Sequence, residues 1–418
     1  MNREDFKIFE NYEKNNSAKL VYFDNASTSQ IPNQVIESMN DYYTNHKSNI
    51  DRGLYKIEEI STQKYEGARK KVARFLNVEN DEVIFTAGAT DSSNKLVLLI
   101  EKHLAKYEDL YKTKNEILVS VSTHHSELLP LQEYAKRNNL TIKILNTENN
   151  LEYFEKEITE KTLLVSMQLV SNVTGLVLKE ESVKNIIAKC KAVHAFSVLD
   201  ISVAVGHMNV NLKDLDCDAA YFSSHKMCGP SGVGILFLKR LYSRDMLPVY
   251  VGGGMVGEVN ELESNYRSDI KAFEAGTQNI PAVIGFAAAV DYLEKIGLDN
   301  IYNHNQELLK YFYKKQETYK LADGTYIKDK IKIYSEENLE NNICIISFAV
   351  DDVHAHDVAQ ILADNNVCVR SGHHCAALLI KNLEVSALTR VSFYFYNTEE
   401  DIDLFFIALE KVINKFKI

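Results

Sequence analysis

Ala219-Ala220-Tyr221-Phe222-Ser223-Ser224-His225-Lys226-Met227-Cys228-Gly229-Pro230 is the stretch whose reading decides the fold. A short strand-forming run leads directly to a lysine, and Gly229 and Gly232 permit tight turns just beyond it. An ammonium at the end of a buried strand is unfavourable. A lone lysine in that place would snorkel its head to water. The other solution is an amine held as a Schiff base, which relieves the charge problem and uses the nitrogen as a nucleophile.

Outward from this stretch, strand-length apolar runs alternate with amphipathic helical patterns. Residues 117–121, 141–145, 163–169, 196–200, 219–223 and 234–238 read as strands, and residues 126–136 and 180–191 as helices. Continuous buried strands separated by helices indicate an α/β fold, with a large, mostly parallel sheet flanked by helices on both faces. The pattern changes near Pro281. Two long helices are expected over 282–296 and 301–319, then strands over 343–350, 367–370 and 390–395, a helix over 358–364, and a closing helix over 399–416. The expected organisation is an N-terminal segment (1–20) packing near the smaller domain, a large domain (21–294) and a small α+β domain (295–418).

The chain's 418 residues suffice for two or three folding units. Hydrophobic residues at 45% and charged residues at 25% suit a globular protein and exclude a disordered one. With 47 Lys+Arg against 58 Asp+Glu, the net charge is -11, and no basic block stands out. That argues against nucleic acid or an anionic membrane as partner. No apolar run approaches the roughly 18 residues of a membrane span. The start, Met1 to Lys7, lacks a signal-peptide pattern. A cytoplasmic protein is expected. Six cysteines without a C-x-x-C make neither a disulfide framework nor a zinc ribbon. The default for each is a buried apolar thiol.

Val198-Leu199-Asp200 places an acid at the end of another apolar strand, where open α/β sheets bind ligands. Alone, Asp200 could equally cap a helix. Paired with Lys226, it matches what pyridoxal phosphate requires: an amine for the aldehyde and an acid for the ring nitrogen. Thr86-Ala87-Gly88-Ala89-Thr90-Asp91 runs from a strand into a helix and could bind a phosphate, or simply cap the helix.

Taken together, the motifs resemble a family. In order along the chain stand Phe23-Asp24-Asn25-Ala26, Asp51-Arg52-Gly53, Gly88-Ala89-Thr90-Asp91, His124-His125 and Val170-Ser171-Asn172. They are followed by Asp200, Ser223-Ser224-His225-Lys226, Phe273-Glu274-Ala275-Gly276-Thr277, Arg370-Ser371-Gly372-His373-His374-Cys375-Ala376 and Arg390. From about Val21 to Lys411 the chain resembles the class V, fold-type I pyridoxal-phosphate enzymes, and within them the cysteine desulfurases of the SufS/selenocysteine-lyase group. The resemblance implies that Lys226 carries the cofactor, Asp200 pairs with its ring nitrogen, and His124 stacks on the ring and moves a proton. It implies a phosphate site of Ala89, Thr90, Ser223 and His225, with Gly276 and Thr277 reaching in from the partner of a homodimer. Asn172 would approach the ring oxygen and the substrate. Arg390, with Arg370 and Asn25, would bind the substrate L-cysteine. Cys375 would take the sulfur as a persulfide, leaving alanine, and pass it to a SufE- or SufU-like acceptor for iron–sulfur cluster or other cofactor assembly.

Three positions depart from that pattern. Val203 stands where a glutamine commonly donates to the ring oxygen, and valine has no donor. Asp51 replaces a frequent histidine, and no proline follows two residues after Cys375. Val203 leaves room for a selenocysteine lyase, or for an aminotransferase- or epimerase-like relative. Gly252-Gly253-Gly254-Met255-Val256-Gly257 spells a G-x-G-x-x-G, which would bind a nicotinamide cofactor only between a strand and a helix. A loop lining the cofactor site is the alternative expectation for these glycines. No metal site is expected, because the paired histidines lack metal-motif spacing.

Overall fold

The computed structural model describes residues 3–148, 151–336 and 338–417. Strand β1 (Val21–Tyr22) is followed by β2 (Val83–Thr86), β3 (Glu116–Ser120), β4 (Thr141–Leu145), β5 (Thr162–Gln168), β6 (Phe196–Asp200), β7 (Ala219–Ser223) and β8 (Gly234–Leu238). The last seven form one sheet in the order β2-β8-β7-β6-β5-β3-β4. Strand β8 runs antiparallel to both its neighbours, and the other pairings are parallel.

Strand side chains alternate between two cores. Phe85, Leu118, Val165, Leu199 and Phe222 pack on one face with residues of helices Lys56–Leu76, Glu180–Ala192 and Ile280–Ile296. Ile84, Val119, Leu164, Val198 and Tyr221 pack on the other with helices Ala89–Lys106 and His125–Asn138. Both faces are covered, which is why these strands read as unbroken apolar runs.

Strands β9 (Val256–Val259) and β10 (Ser264–Tyr266) pair antiparallel with each other. The glycine run 252–257 leads into β9 and not into a helix, so it lacks the context a dinucleotide site needs. That rival reading is corrected.

After helix Ile280–Ile296 the chain turns at Gly297 into helix Leu298–Thr318. Beyond it, β11 (Ile331–Ile333), β12 (Ile345–Val350), β13 (Val367–Cys368), β14 (Arg370–Gly372) and β15 (Leu388–Ser392) appear. An antiparallel sheet of order β11-β12-β15-β14 packs Ile346, Phe348 and Val391 against Phe312, Val358, Leu362, Phe405 and Leu409.

Two expectations differ. The single strand over 367–370 is split at Val369. Val367 and Cys368 pair in parallel with β1, while Arg370 turns to pair with β15. For the same reason β1 sides with the smaller unit: Val21 and Phe23 lie in its core. The N-terminal segment bridges both units. Arg3 Nη1 meets Asp401 Oδ2 at 3.1 Å, and the Phe6 ring lies 6.0 Å from that of Tyr292 and 4.7 Å from that of Tyr396.

His207 sits at this junction. Its ring lies 4.4 Å from that of Tyr394, and Asn305 Nδ2 is 3.2 Å from its Nδ1. Burial pushes its pKa down to about 3, against about 6.5 for an exposed imidazole. Between those values the unfolded chain binds a proton that the folded chain refuses. The stability contributed by neutral His207 is therefore complete above about pH 6.5 and is lost as the pH falls towards 3. At pH 5 the loss is about 2 kcal/mol. His207→Gln is expected to remove that much of the drop in urea-unfolding stability between pH 7 and pH 5. An unchanged pH slope would refute the assignment.

Candidate active site

The carboxyl ends of the parallel strands open into a cavity of about 240 Å³, the position that this sheet topology reserves for ligands. Lys226 enters it from the short turn Ser224–Lys226 that follows β7. Burial lowers its ammonium below the ordinary lysine range, against the pull of Asp200. Asp200 ends β6 and accepts the Ser202 N–H on Oδ1 at 2.8 Å. Burial raises its carboxyl, while Ser202 and Lys226 oppose the shift.

His124 is the N-cap of helix His125–Asn138. Its Nδ1 accepts the Ser126 N–H at 3.1 Å, which places the proton of the neutral ring on Nε2. Burial, then the neighbouring Lys226, lowers its pKa to about 3.

Gly88 at φ +148 delivers the chain into helix Ala89–Lys106. The Ala89 N–H donates to Ser223 Oγ at 2.7 Å, tying the helix start to the end of β7. Thr90, Ser223 and His225 line the same wall. Burial, then Lys226, brings His225 down to about 4. This wall also borders a second, more open recess reaching Gly232 and Tyr250.

Opposite lie two arginines. Arg390, fully buried in β15, donates from Nη1 to the Asn172 carbonyl at 2.7 Å and from Nη2 to Ser27 Oγ at 2.9 Å. Asp24 Oδ1 is 3.3 Å from the same Nη2. Burial brings the guanidinium down to about 10, with Asp24 opposing. Arg370 Nη1 donates to Ser27 Oγ at 2.8 Å, and its Nη2 is 3.9 Å from Cys375 Sγ. Asn172 Nδ2 donates to the His374 carbonyl at 2.7 Å.

Cys375 is half-buried on the turn between β14 and helix Ala377–Asn382, and it lines the cavity with Lys226. By contrast, Cys190 and Cys228 are buried thiols pushed up to about 12 by desolvation.

Asn25 stands elsewhere, and Gly276 and Thr277, expected from a partner subunit, do not line this chain's own cavity. The Asn25 amide is used up internally: Nδ2 donates to the Ser392 carbonyl at 2.7 Å, and Oδ1 accepts from Tyr396. Its neighbours Ala26 and Ser27 line the cavity in its place. Gly276 and Thr277 line a separate cavity with Asp51, Arg52, Gly253 and Gly254. The glycine loop therefore borders that cavity and not the one holding Lys226 of its own chain. Val203 is buried in the core.

Sequence reasoning missed Ser27, which receives both arginines, and Glu127 beneath the site. Glu127 is buried and accepts from the Ser166 and Tyr221 hydroxyls. Burial, then Asp200, raises its carboxyl to about 8. An acid among the apolar positions of helix His125–Asn138 was the available signal.

Among known proteins, residues 21–405 match the family model for aminotransferase class-V. A Halalkalibacterium halodurans protein named "Probable cysteine desulfurase" is 37% identical over 406 residues, 96% of this chain and 95% of its own. A Pyrococcus abyssi protein of the same name is 35% identical over 405 residues, 96% of each chain. The apo structure of a cysteine desulfurase from Thermococcus onnurineus NA1 matches with a TM-score of 0.87 at 32% identity, covering 99% of this chain and 97% of that one. The S-sulfonic acid form of the Escherichia coli cysteine desulfurase CsdA matches with a TM-score of 0.84 at 25% identity, covering 99% and 98%.

Proposed function

This chain belongs to the aminotransferase class-V family, and we propose that it is a cysteine desulfurase, moving the sulfur of L-cysteine onto Cys375 and releasing L-alanine. The observation that carries the reading is a thiol, Cys375, on the same buried cavity as Lys226, Asp200 and Arg390. A transaminase has no use for a thiol there.

The cavity suits pyridoxal phosphate. Asn172 Oδ1, Arg390 Nε and His374 Nδ1 are buried without hydrogen-bond partners among the described residues, and all three residues line it. Lys226 would hold the aldehyde, Asp200 the ring nitrogen and His124 the ring face. Ala89, Thr90, Ser223 and His225 would hold the phosphate. Asn172 and Ser202 are the groups available to the ring oxygen where Val203 replaces the usual glutamine. When bound, the cofactor supplies an electron sink that loosens the substrate's Cα proton and Cβ–S bond.

The chain's own residues do the rest. Arg390 binds the substrate carboxylate with its fork, seconded by Arg370. The Lys226 amine takes the proton from Cα and returns it there after the sulfur has left. The Cys375 thiolate attacks the substrate sulfur. One S–S bond forms and the Cβ–S bond breaks. The electron pair of the broken bond stays on carbon, which gains a proton to become the methyl group of alanine. The persulfide sulfur then passes to an acceptor protein of the SufE or SufU kind.

A second copy completes the site. The phosphate wall opens to a recess, while Gly276 and Thr277 lie on a different cavity of the same chain. Thr277 of a partner subunit would close that recess. All six cysteines are free, as suits a reducing cytoplasm. Among the described residues no helix is long and apolar enough to cross a membrane.

The test is the product balance from L-cysteine with a reductant. Equal amounts of alanine and sulfide support a desulfurase. A keto acid without sulfide would mean a transaminase, and turnover of L-selenocysteine alone would mean a selenocysteine lyase. Arg390→Lys, which trades a fork for a point charge, is expected to raise KM for L-cysteine by about 10–100-fold with a smaller change in kcat. Steady-state rates measure it, and an unchanged KM would remove Arg390 from the substrate site.

A further inference from the structure

Of the two adjacent histidines, His124 borders the cavity and His125 does not. Yet His125 is built into the segment that carries the nucleophile. Its main-chain N–H donates to the Cys375 carbonyl at 2.8 Å. Its ring Nε2 accepts the Ala377 N–H at 3.1 Å. One residue of the large unit thus grips the cysteine turn twice, at the Cys375 carbonyl and again at the Ala377 N–H two residues on.

The turn needs such a grip. His374 and Cys375 both adopt left-handed backbone, at φ +52 and +57. Each non-glycine residue so placed costs about 1–2 kcal/mol. Two in succession persist only where surrounding contacts over-determine them. Asn172 Nδ2 holds the His374 carbonyl at 2.7 Å, and the His374 ring nitrogen lies 3.1 Å from the Leu388 carbonyl. Those contacts fix His374. The contacts of His125 fix Cys375 itself and the start of the helix beyond it.

The ring contact also sets a chemical requirement. Nε2 accepts here, so the ring is neutral with its proton on Nδ1. Burial, with His373 adding to it, keeps the ring's pKa below the ordinary range, which favours that form.

We infer that His125 is a positioning residue for sulfur transfer, holding Cys375 in the left-handed turn that puts its thiol on the Lys226 cavity. This rests on the desulfurase reading and deepens it. Binding of L-cysteine does not involve His125, whereas the attack of Cys375 on the substrate sulfur does. Losing the ring acceptor should therefore separate the two steps.

The experiment uses holoenzyme with His125→Ala, His125→Asn and His125→Gln. The glutamine oxygen can reach the place of Nε2, while the asparagine oxygen falls short of it. Substrate binding is read from the change in cofactor absorbance on mixing with L-cysteine. Sulfur transfer is read in a single turnover from the gain of one sulfur atom by the protein. In Ala and Asn, transfer is expected to slow by about 10–100-fold, with Gln within about threefold of the parent and the binding change kept in all three. Parent-like transfer in Asn, or a Gln variant as slow as Asn, would overturn the inference. Should Ala fail to fold, the Gln–Asn pair decides the matter by itself. A parent protein that binds L-cysteine but gains no sulfur would overturn the desulfurase reading and this inference with it, and it would show before any variant is compared.

Discussion

Cys375→Ser is expected to lower persulfide formation by at least about 10³-fold while L-cysteine still binds. The substitution keeps the size of the side chain and the turn that carries it. It replaces the sulfur nucleophile with a hydroxyl, which stays protonated and does not attack sulfur. Arg390, Ser27 and Asn172, the residues proposed to shape the substrate end, are held by hydrogen bonds to one another and to the His374 carbonyl, which the substitution leaves in place. Arg370 does meet the side chain at 375, at 3.9 Å from Sγ, and it keeps its bond to Ser27. The absorbance change on mixing holoenzyme with L-cysteine should therefore survive. Rapid quenching, with alanine and protein-bound sulfur measured together, checks the split. Alanine formed by the variant at more than about a tenth of the parent rate would mean that sulfur leaves without Cys375, and the carrier role would fall.

How far this site was legible depends on distance along the chain. The large sheet was legible because a strand buried on both faces shows as a local apolar run. Phe196–Asp200 and Ala219–Ser223 fall where the sequence puts them, and each ends on the residue that opens the site. The closing helix Glu399–Phe416 also has its expected bounds, for Thr398 and Asp401 cap its start within four residues of each other. Strand β1 could not be read in this way. It pairs with Val367 and Cys368, and no local pattern announces a partner so remote. Asn25 fails similarly. Its identity suggests a ligand contact, but Ser392, Asn397 and Tyr396 surround its amide and leave Ser27 facing the arginines. The glycine run at 252–257 misleads in the opposite sense, since its spacing is local and the helix it would need is absent.

Glu274→Gln is expected to destabilise the protein by about 3–5 kcal/mol, the penalty for stranding one partner of a buried ion pair. Both carboxylate oxygens are saturated by donors. Arg69 Nη1 and Nη2 each donate at 2.8 Å, the Phe85 N–H donates at 2.8 Å, and the Tyr65 hydroxyl donates at 3.1 Å. Arg69 and Glu274 are both nearly inaccessible to water. An amide in place of the carboxylate must turn its NH₂ towards donors and leaves the buried guanidinium with only the part-exposed Glu66, 3.2 Å from its Nε, as counter-charge. The cluster fastens the Phe273–Thr277 segment to β2 and to helix Lys56–Leu76, so loosening it should also weaken the cofactor contact proposed for Gly276 and Thr277. Urea unfolding at fixed protein concentration measures the first effect, and cofactor retention on dialysis measures the second. The double replacement Arg69→Met with Glu274→Met separates charge from packing, because apolar pairs of similar volume often match or exceed the ion pair they replace. Recovery of most of the lost stability in the double variant, without recovery of cofactor retention, would show that the ion pair serves the geometry of residues 273–277 more than the stability of the fold. A loss below about 1 kcal/mol in Glu274→Gln would mean that the Arg69 charge finds water or another acceptor, and the anchoring role would be wrong.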